Sequence, residues 1–178
     1  MPTETVYGLG ALPAAAGATA KIFELKGRTA DVPLAVLCAD ADQALALADE
    51  PSAAVELAAK AFWPGPLTLV LRRRPGLGYE LGEPATTIGL RCPDHEVVRV
   101  LAAEVGPIAV TSANLHGQPT PATAPAVAAL FGDGVTAVID GGPCTGLPST
   151  VVDATADDPA AWKVLRQGAI TLEDLLRG

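Results

Sequence analysis

At 178 residues, 49% of them hydrophobic but only 4% aromatic, the chain is sized for one domain with a core of Leu, Val, Ile and Ala, and no run reaches the roughly 18 apolar residues of a membrane span. A net charge of −8 disfavours a generic nucleic-acid binder, which needs clustered Lys and Arg, so any positive patch is local. Cys38, Cys92 and Cys144 are too few and too scattered for a disulfide framework or a zinc site, and the N-terminus lacks a basic segment followed by an apolar run, which together point to a soluble cytoplasmic protein.

The apolar spacing of residues 14–25 predicts a helix running into Lys26-Gly27-Arg28, and residues 33–38 read as a short buried strand. Helices are predicted over 40–48 and 52–62, each opening on an Asp or Ser suited to an N-cap, with Pro64-Gly65-Pro66 stopping the second. A strand over 67–71, a Gly- and Pro-punctuated stretch over 75–84, a strand over 86–90, a helix over 95–103 and a strand over 107–110 follow. Residues 115–125 are rich in Pro and Thr. A short helix over 126–131 then leads to a strand over 136–139, a loop at Gly141-Gly142-Pro143, strands over 149–152 and 162–165, and a closing helix over 171–176. Some strand pairs are joined by helices and others by short loops, which predicts an α/β fold: one domain over residues 1–178 with a twisted mixed β-sheet flanked by helices and a ligand cleft at the strand ends. Only Met1 precedes the polar loop Pro2-Thr3-Glu4-Thr5, where such a sheet places its first strand, so either a strand is missing or the start lies upstream.

Five polar clusters fall in these loops. Residues 2–10 offer two threonine hydroxyls, a carboxylate and two glycines that admit a ligand close to the backbone, or else form a plain turn with capping hydroxyls. In an extended loop Lys26 and Arg28 point the same way and suit a polyphosphate; the bland alternative is a solvated helix end. Arg91 ends a buried-looking strand and needs a partner, either a ligand carboxylate or an internal acid such as Asp94. Thr111-Ser112-Ala113-Asn114 can present hydroxyl and amide groups to phosphate oxygens, though such tetrads are common in turns. Ser149-Thr150 and Arg166 complete the set, with a cross-strand hydroxyl pair and an exposed terminal charge as their plain readings. His95 and His116 lack neighbours at metal-ligand spacing, and the dinucleotide fingerprint, the P-loop and the Gly-x-Ser-x-Gly elbow are all absent.

Taken in order, Pro-Thr-Glu-Thr-Val-Tyr-Gly-Leu-Gly at 2–10, Lys-Gly-Arg at 26–28 with Pro33-Leu34, Phe62-Trp63-Pro64-Gly65-Pro66-Leu67-Thr68, Arg91 with Pro93-Asp94-His95, Ser112-Ala113-Asn114, Ser149-Thr150-Val151-Val152-Asp153 and Leu165-Arg166 with Gly168-Ala169-Ile170 resemble the threonylcarbamoyl-AMP synthase family, also called the YrdC/Sua5 family, in its single-domain form. The resemblance implies a YrdC-like domain without the N-terminal helix and strand of relatives. It also implies synthesis of threonylcarbamoyl-AMP and pyrophosphate from ATP, L-threonine and bicarbonate, for threonylcarbamoyladenosine modification of tRNA. On the same ground Thr5, Arg91 and Ser149 bind threonine, Lys26 and Arg28 neutralise the triphosphate, and Thr87, Ser112, Asn114, Thr120 and Arg166 contact ATP, with no covalent nucleophile. Mg2+ accompanies ATP without a dedicated protein ligand. A separate tRNA threonylcarbamoyl transferase takes the product, and contact with tRNA itself is weak. Leu37 stands where many relatives have histidine, Pro148 replaces a glutamate and Gln167 a proline. Two rival readings are a carbamoyl-adenylate-forming domain of the hydrogenase-maturation type and a double-stranded RNA or tRNA binding module; the acidic net charge weighs against the second.

Overall fold

Side chains alternate between the two faces of a strand, so the chemistry of each face is set by every second residue. The structure, a computed structural model, describes residues 1–27, 29–144 and 147–177. Seven strands form one mixed sheet: β1 (Gly8–Ala11), β2 (Ala35–Leu37), β3 (Leu67–Arg72), β4 (Thr87–Arg91), β5 (Ile108–Ser112), β6 (Thr150–Asp153) and β7 (Lys163–Arg166). Their order is β1-β5-β2-β4-β3-β6-β7. The β2–β4 and β3–β6 pairs are parallel and the other four pairs are antiparallel.

One face carries Leu9, Val36, Leu67, Leu69, Leu71, Ile88, Leu90, Ala109 and Val152, all in the main core. Against them pack residues of α1 (Ala18–Lys26), α2 (Ala41–Leu45), α3 (Ala53–Phe62), α5 (Ala124–Phe131) and α6 (Leu172–Arg177), including Ile22, Ala44, Val55, Val127, Phe131 and Leu175. The opposite face carries Gly8, Ala35, Leu37, Thr68, Val70, Thr87, Gly89, Arg91, Val110, Ser112 and Val151. A single helix, α4 (Glu96–Val105), covers part of it by packing Val98 against Leu37 and Val110. The remainder of this face is left open, and its small residues Gly8, Ala35 and Gly89 make it a hollow.

Local signals set the helix ends. Asp40 accepts from Gln43 N at 2.8 Å and Ser52 from Val55 N at 3.4 Å, so both expected N-caps form. Gly27 ends α1 at φ +60°, a left-handed conformation that L side chains resist. Two expectations fail. The segment 8–11, read as part of a loop, is strand β1, because pairing with β5 outweighs the poor strand propensity of Gly-Leu-Gly-Ala. Conversely, residues 136–139 form no strand: Val135 and Val138 pack on the core outside the sheet, and no ladder partner meets the segment. No described helix is long and apolar enough to cross a membrane.

Candidate functional site

The open face and the loops at its margins enclose a cavity of about 440 Å³. Thr5, Thr87, Arg91, Ser112, Thr120, Ser149 and Arg166 line it. Lys26 and Asn114 adjoin it through Ser112 without lining it, and Arg28 lies outside the described residues. Leu37 and Pro148, two of the departures from the family pattern, also line the cavity, Leu37 beside Arg91 in the β2–β4 register.

Arg91 ends β4 on the open face, and its side chain is only 7% exposed. Its Nε donates to Gly65 O at 3.1 Å, Nη1 to Thr5 Oγ1 at 3.1 Å and Nη2 to Glu4 Oε1 at 2.5 Å. The internal acid is therefore Glu4 and not Asp94, since the strand end faces the loop before β1 rather than its own downstream turn. A guanidinium has five N–H donors, so one on each terminal nitrogen has no partner among the described residues. That pair is the geometry that grips a carboxylate with two parallel bonds.

The Thr5 hydroxyl is polarised by its neighbours. Thr3 Oγ1 donates to Val6 O at 2.7 Å, accepts from the Val6 and Thr5 amides at 3.1 and 3.3 Å, and shares a 2.8 Å contact with Thr5 Oγ1 in which either hydroxyl can donate. Thr5 Oγ1 accepts from Arg91 Nη1 and lines the cavity. At the other wall Arg166 donates through Nε and Nη2 to Ser149 O at 3.1 and 2.9 Å, and through Nη2 to Ser149 Oγ at 2.9 Å. Its Nη1 has no partner among the described residues. Loss of water at the cleft lip, and secondarily the Arg91 guanidinium, lower the proton affinity of Arg166 from the ordinary arginine range. Ser149 Oγ shares a 2.9 Å bond with Thr68 Oγ1, leaving one hydroxyl proton of the pair for a ligand. Gly168 makes this wall possible, because a Cβ there would run into the backbone of Pro148, Ser149 and Thr150. Gln167, the third departure, ties the same turn by donating to Gly168 O and Ile170 O at 3.0 and 2.9 Å.

Lys26 does not sit in an extended loop. It is the last residue of α1, 3% exposed, because Gly27 turns the chain only after it. Its Nζ donates to Ser112 O at 2.5 Å, Asn114 O at 2.6 Å and Asn114 Oδ1 at 3.1 Å. Ser112 Oγ donates to Asn114 Oδ1 at 2.5 Å, while Asn114 Nδ2 donates to Leu115 O and Gln118 O. A buried ammonium thus organises the loop after β5. Sequence reasoning counted the hydroxyls and carboxylate of residues 2–10 among the candidate groups but gave an individual role only to Thr5, and it named Thr68 only within a motif block. Glu4 and Thr3 stood inside a recognised motif, but the signal that singles them out, contact with Arg91 or Thr5, is tertiary.

A half-open mixed sheet whose hollow presents two arginines and threonine and serine hydroxyls, with a buried lysine bracing the loop at its edge, defines an α/β domain built to hold an anionic ligand rich in hydrogen-bonding groups. The chain matches the family model of Sua5, YciO and YrdC proteins, described as telomere recombination, over residues 1–168, and it belongs to that family. It is 42% identical over 176 residues to the threonylcarbamoyl-AMP synthase of Pyrococcus abyssi, covering 98% of this chain and 51% of that protein. To the threonylcarbamoyl-AMP synthase of Idiomarina loihiensis it is 39% identical over 142 residues, covering 78% of this chain and 76% of that protein. The crystal structure of P. abyssi Sua5 complexed with L-threonine superposes with a TM-score of 0.89 at 41% identity, covering 99% of this chain and 52% of that one. The chain therefore spans about half the length of the P. abyssi relative.

Proposed function

We propose that this chain is an L-threonylcarbamoyladenylate synthase, a nucleotidyltransferase that joins ATP, L-threonine and bicarbonate. The observation that carries the reading is the Arg91 fork, with one N–H left on each terminal nitrogen, beside the Thr5 hydroxyl at the cavity wall. An α-amino acid supplies the complements: a carboxylate for the fork and a polar group within reach of Thr5. Similarity at 41% identity to a protein crystallised with L-threonine supports the choice of amino acid.

In the reaction the threonine amine condenses with bicarbonate to N-carboxythreonine with loss of water. One carbamate oxygen then attacks the α-phosphorus of ATP, the bond to the bridging oxygen breaks, and pyrophosphate leaves. Such a reaction needs reactants held in line and charge neutralised, with no covalent nucleophile. Arg91, Thr5 and Ser149 orient the amino acid. Thr87, Thr120 and Arg166 contact the nucleotide from the cavity walls. Lys26 and Arg28 neutralise the phosphates, Lys26 by exchanging its bonds to Ser112 and Asn114 for phosphate oxygens, with both residues adding contacts of their own. Magnesium enters with ATP to screen its phosphates; among the described residues no group of three His, Cys, Asp or Glu is placed to hold it. The adenylate then passes to a separate tRNA threonylcarbamoyl transferase, and any contact of this acidic chain with tRNA is weak.

Incubation with ATP, magnesium, L-threonine and bicarbonate tests the reading. Threonine-dependent pyrophosphate and the adenylate by mass spectrometry are expected. Turnover of carbamoyl phosphate without a threonine requirement, or RNA binding without turnover, refutes it.

A further inference from the structure

Glu4 is a half-buried acid that the reaction above does not use. Its Oε1 pairs with Arg91 Nη2 at 2.5 Å, and its side chain is 22% exposed. Yet it does not line the cavity, so whatever it does for a ligand passes through Arg91. Its second oxygen, Oε2, is buried and has no donor among the described residues. Buried carboxylate oxygens are normally satisfied, and an unmet one is costly. An acid retained only to stabilise the fold has no reason to keep such an oxygen.

Arg91 explains the arrangement. Three anchors on two segments, Gly65 O before β3 and Thr5 Oγ1 and Glu4 Oε1 in the loop before β1, fix the plane of its guanidinium, and only Glu4 is charged. A guanidinium this buried needs a counter-charge when no ligand is bound. A carboxylate fully satisfied by the backbone would pull less strongly on Nη2. Held at one oxygen, the Glu4 carboxylate fixes Nη2 and leaves one N–H on each terminal nitrogen of an arginine that lines the cavity.

We propose that Glu4 is a positioning residue that sets the Arg91 fork for the carboxylate of the amino-acid substrate; the proposal rests on the functional reading above. Its test combines calorimetric binding of L-threonine and of ATP with steady-state pyrophosphate release for the parent chain, Glu4→Gln and Glu4→Asp. Glu4→Gln keeps the shape and removes the charge. Its threonine Kd and KM are expected to rise roughly tenfold to a hundredfold, as for a reacting group misplaced by about 1 Å. The ATP Kd stays within about twofold and kcat at saturating threonine within about threefold. Glu4→Asp restores the charge and falls between the two. A role confined to stability lowers the melting midpoint and the active fraction while leaving the threonine KM of the folded enzyme unmoved. That result, or a Glu4→Gln variant that binds threonine as well as or better than the parent, overturns the proposal. If Glu4→Gln does not fold, Glu4→Asp decides by the same criterion: a threonine Kd equal to the parent's refutes it. A parent chain that binds no threonine refutes the functional reading itself, whereas a parent that binds it beside an equally competent variant refutes the role of Glu4 alone.

Discussion

Replacing Arg91 by lysine isolates the fork from its charge. Arginine spends three N–H groups on Gly65, Thr5 and Glu4 and keeps one on each terminal nitrogen for a ligand. Lysine has three donors on a single atom, so an ammonium that satisfies Glu4 and Thr5 has at most one left. The ligand carboxylate loses at least one charge-assisted bond, about 1.5–3 kcal/mol. At about 1.4 kcal/mol per decade, threonine affinity falls roughly 10- to 150-fold. Calorimetry with L-threonine and the threonine dependence of pyrophosphate release read this out, and ATP binding serves as the internal control. Arg91→Ala adds a stability effect, because it leaves the Glu4 carboxylate buried with neither oxygen paired, a loss of roughly 3–5 kcal/mol. A second substitution, Glu4→Gln, is expected to recover part of that loss. A threonine Kd within twofold of the parent in Arg91→Lys refutes the assignment of Arg91 as the carboxylate clamp.

Gly168→Ala is expected to destabilise the chain by about 1–3 kcal/mol, since the added methyl meets backbone atoms of residues 148–150 that cannot turn aside. Urea unfolding measures the change, and a shift below about 0.5 kcal/mol contradicts the close approach. Burial pushes the Cys92 thiol from the usual 9.0 up to about 12, with Asp40 adding to the rise and Arg99 opposing it; Cys38 beside it is raised in the same direction, again mainly by burial. The folded chain therefore holds these protons more tightly than the unfolded one. Stability is full below about pH 9 and declines as pH climbs toward 12. Denaturant midpoints between pH 8 and 11 are expected to fall less steeply for Cys92→Ala than for the parent, and equal slopes count against the buried thiol as a cause.

How far the sequence could be read depended on the range of the interaction. The caps Asp40 and Ser52 and the stop at Pro64-Gly65-Pro66 act within a few residues, and the elements they bound appeared where the pattern placed them. The segment Gly8–Ala11 gave no strand signal because two of its four residues are glycine; it is a strand only by virtue of β5, about a hundred residues away. Residues 136–139 had the composition of a strand but no neighbour to pair with. Lys26 was recognised as a functional cation, yet its place at a helix end, buried against Ser112 and Asn114, depends on a turn that begins one residue later than the extended-loop reading assumed.

The partner of Arg91 shows the same limit in the site itself. Asp94 is the acid nearest in the sequence, and a local rule selects it. The path of the loop before β1 selects Glu4 instead. Strand β4 runs parallel to β2, which pairs antiparallel with β5, which in turn pairs antiparallel with β1, so β1 starts toward the opposite end of the sheet from Arg91; Glu4 and Thr5 reach Arg91 because the loop leading into β1 folds back over the open face. The parallel β3–β6 register, by contrast, is itself enough to bring Thr68 beside Ser149. Each side chain of the cleft is thus cheap to encode as a single polar residue at a strand end. The recognition geometry exists only because strands far apart in sequence bring those ends together, and because alternation on the open face leaves Gly8, Ala35 and Gly89 where larger residues would fill the space that a ligand needs.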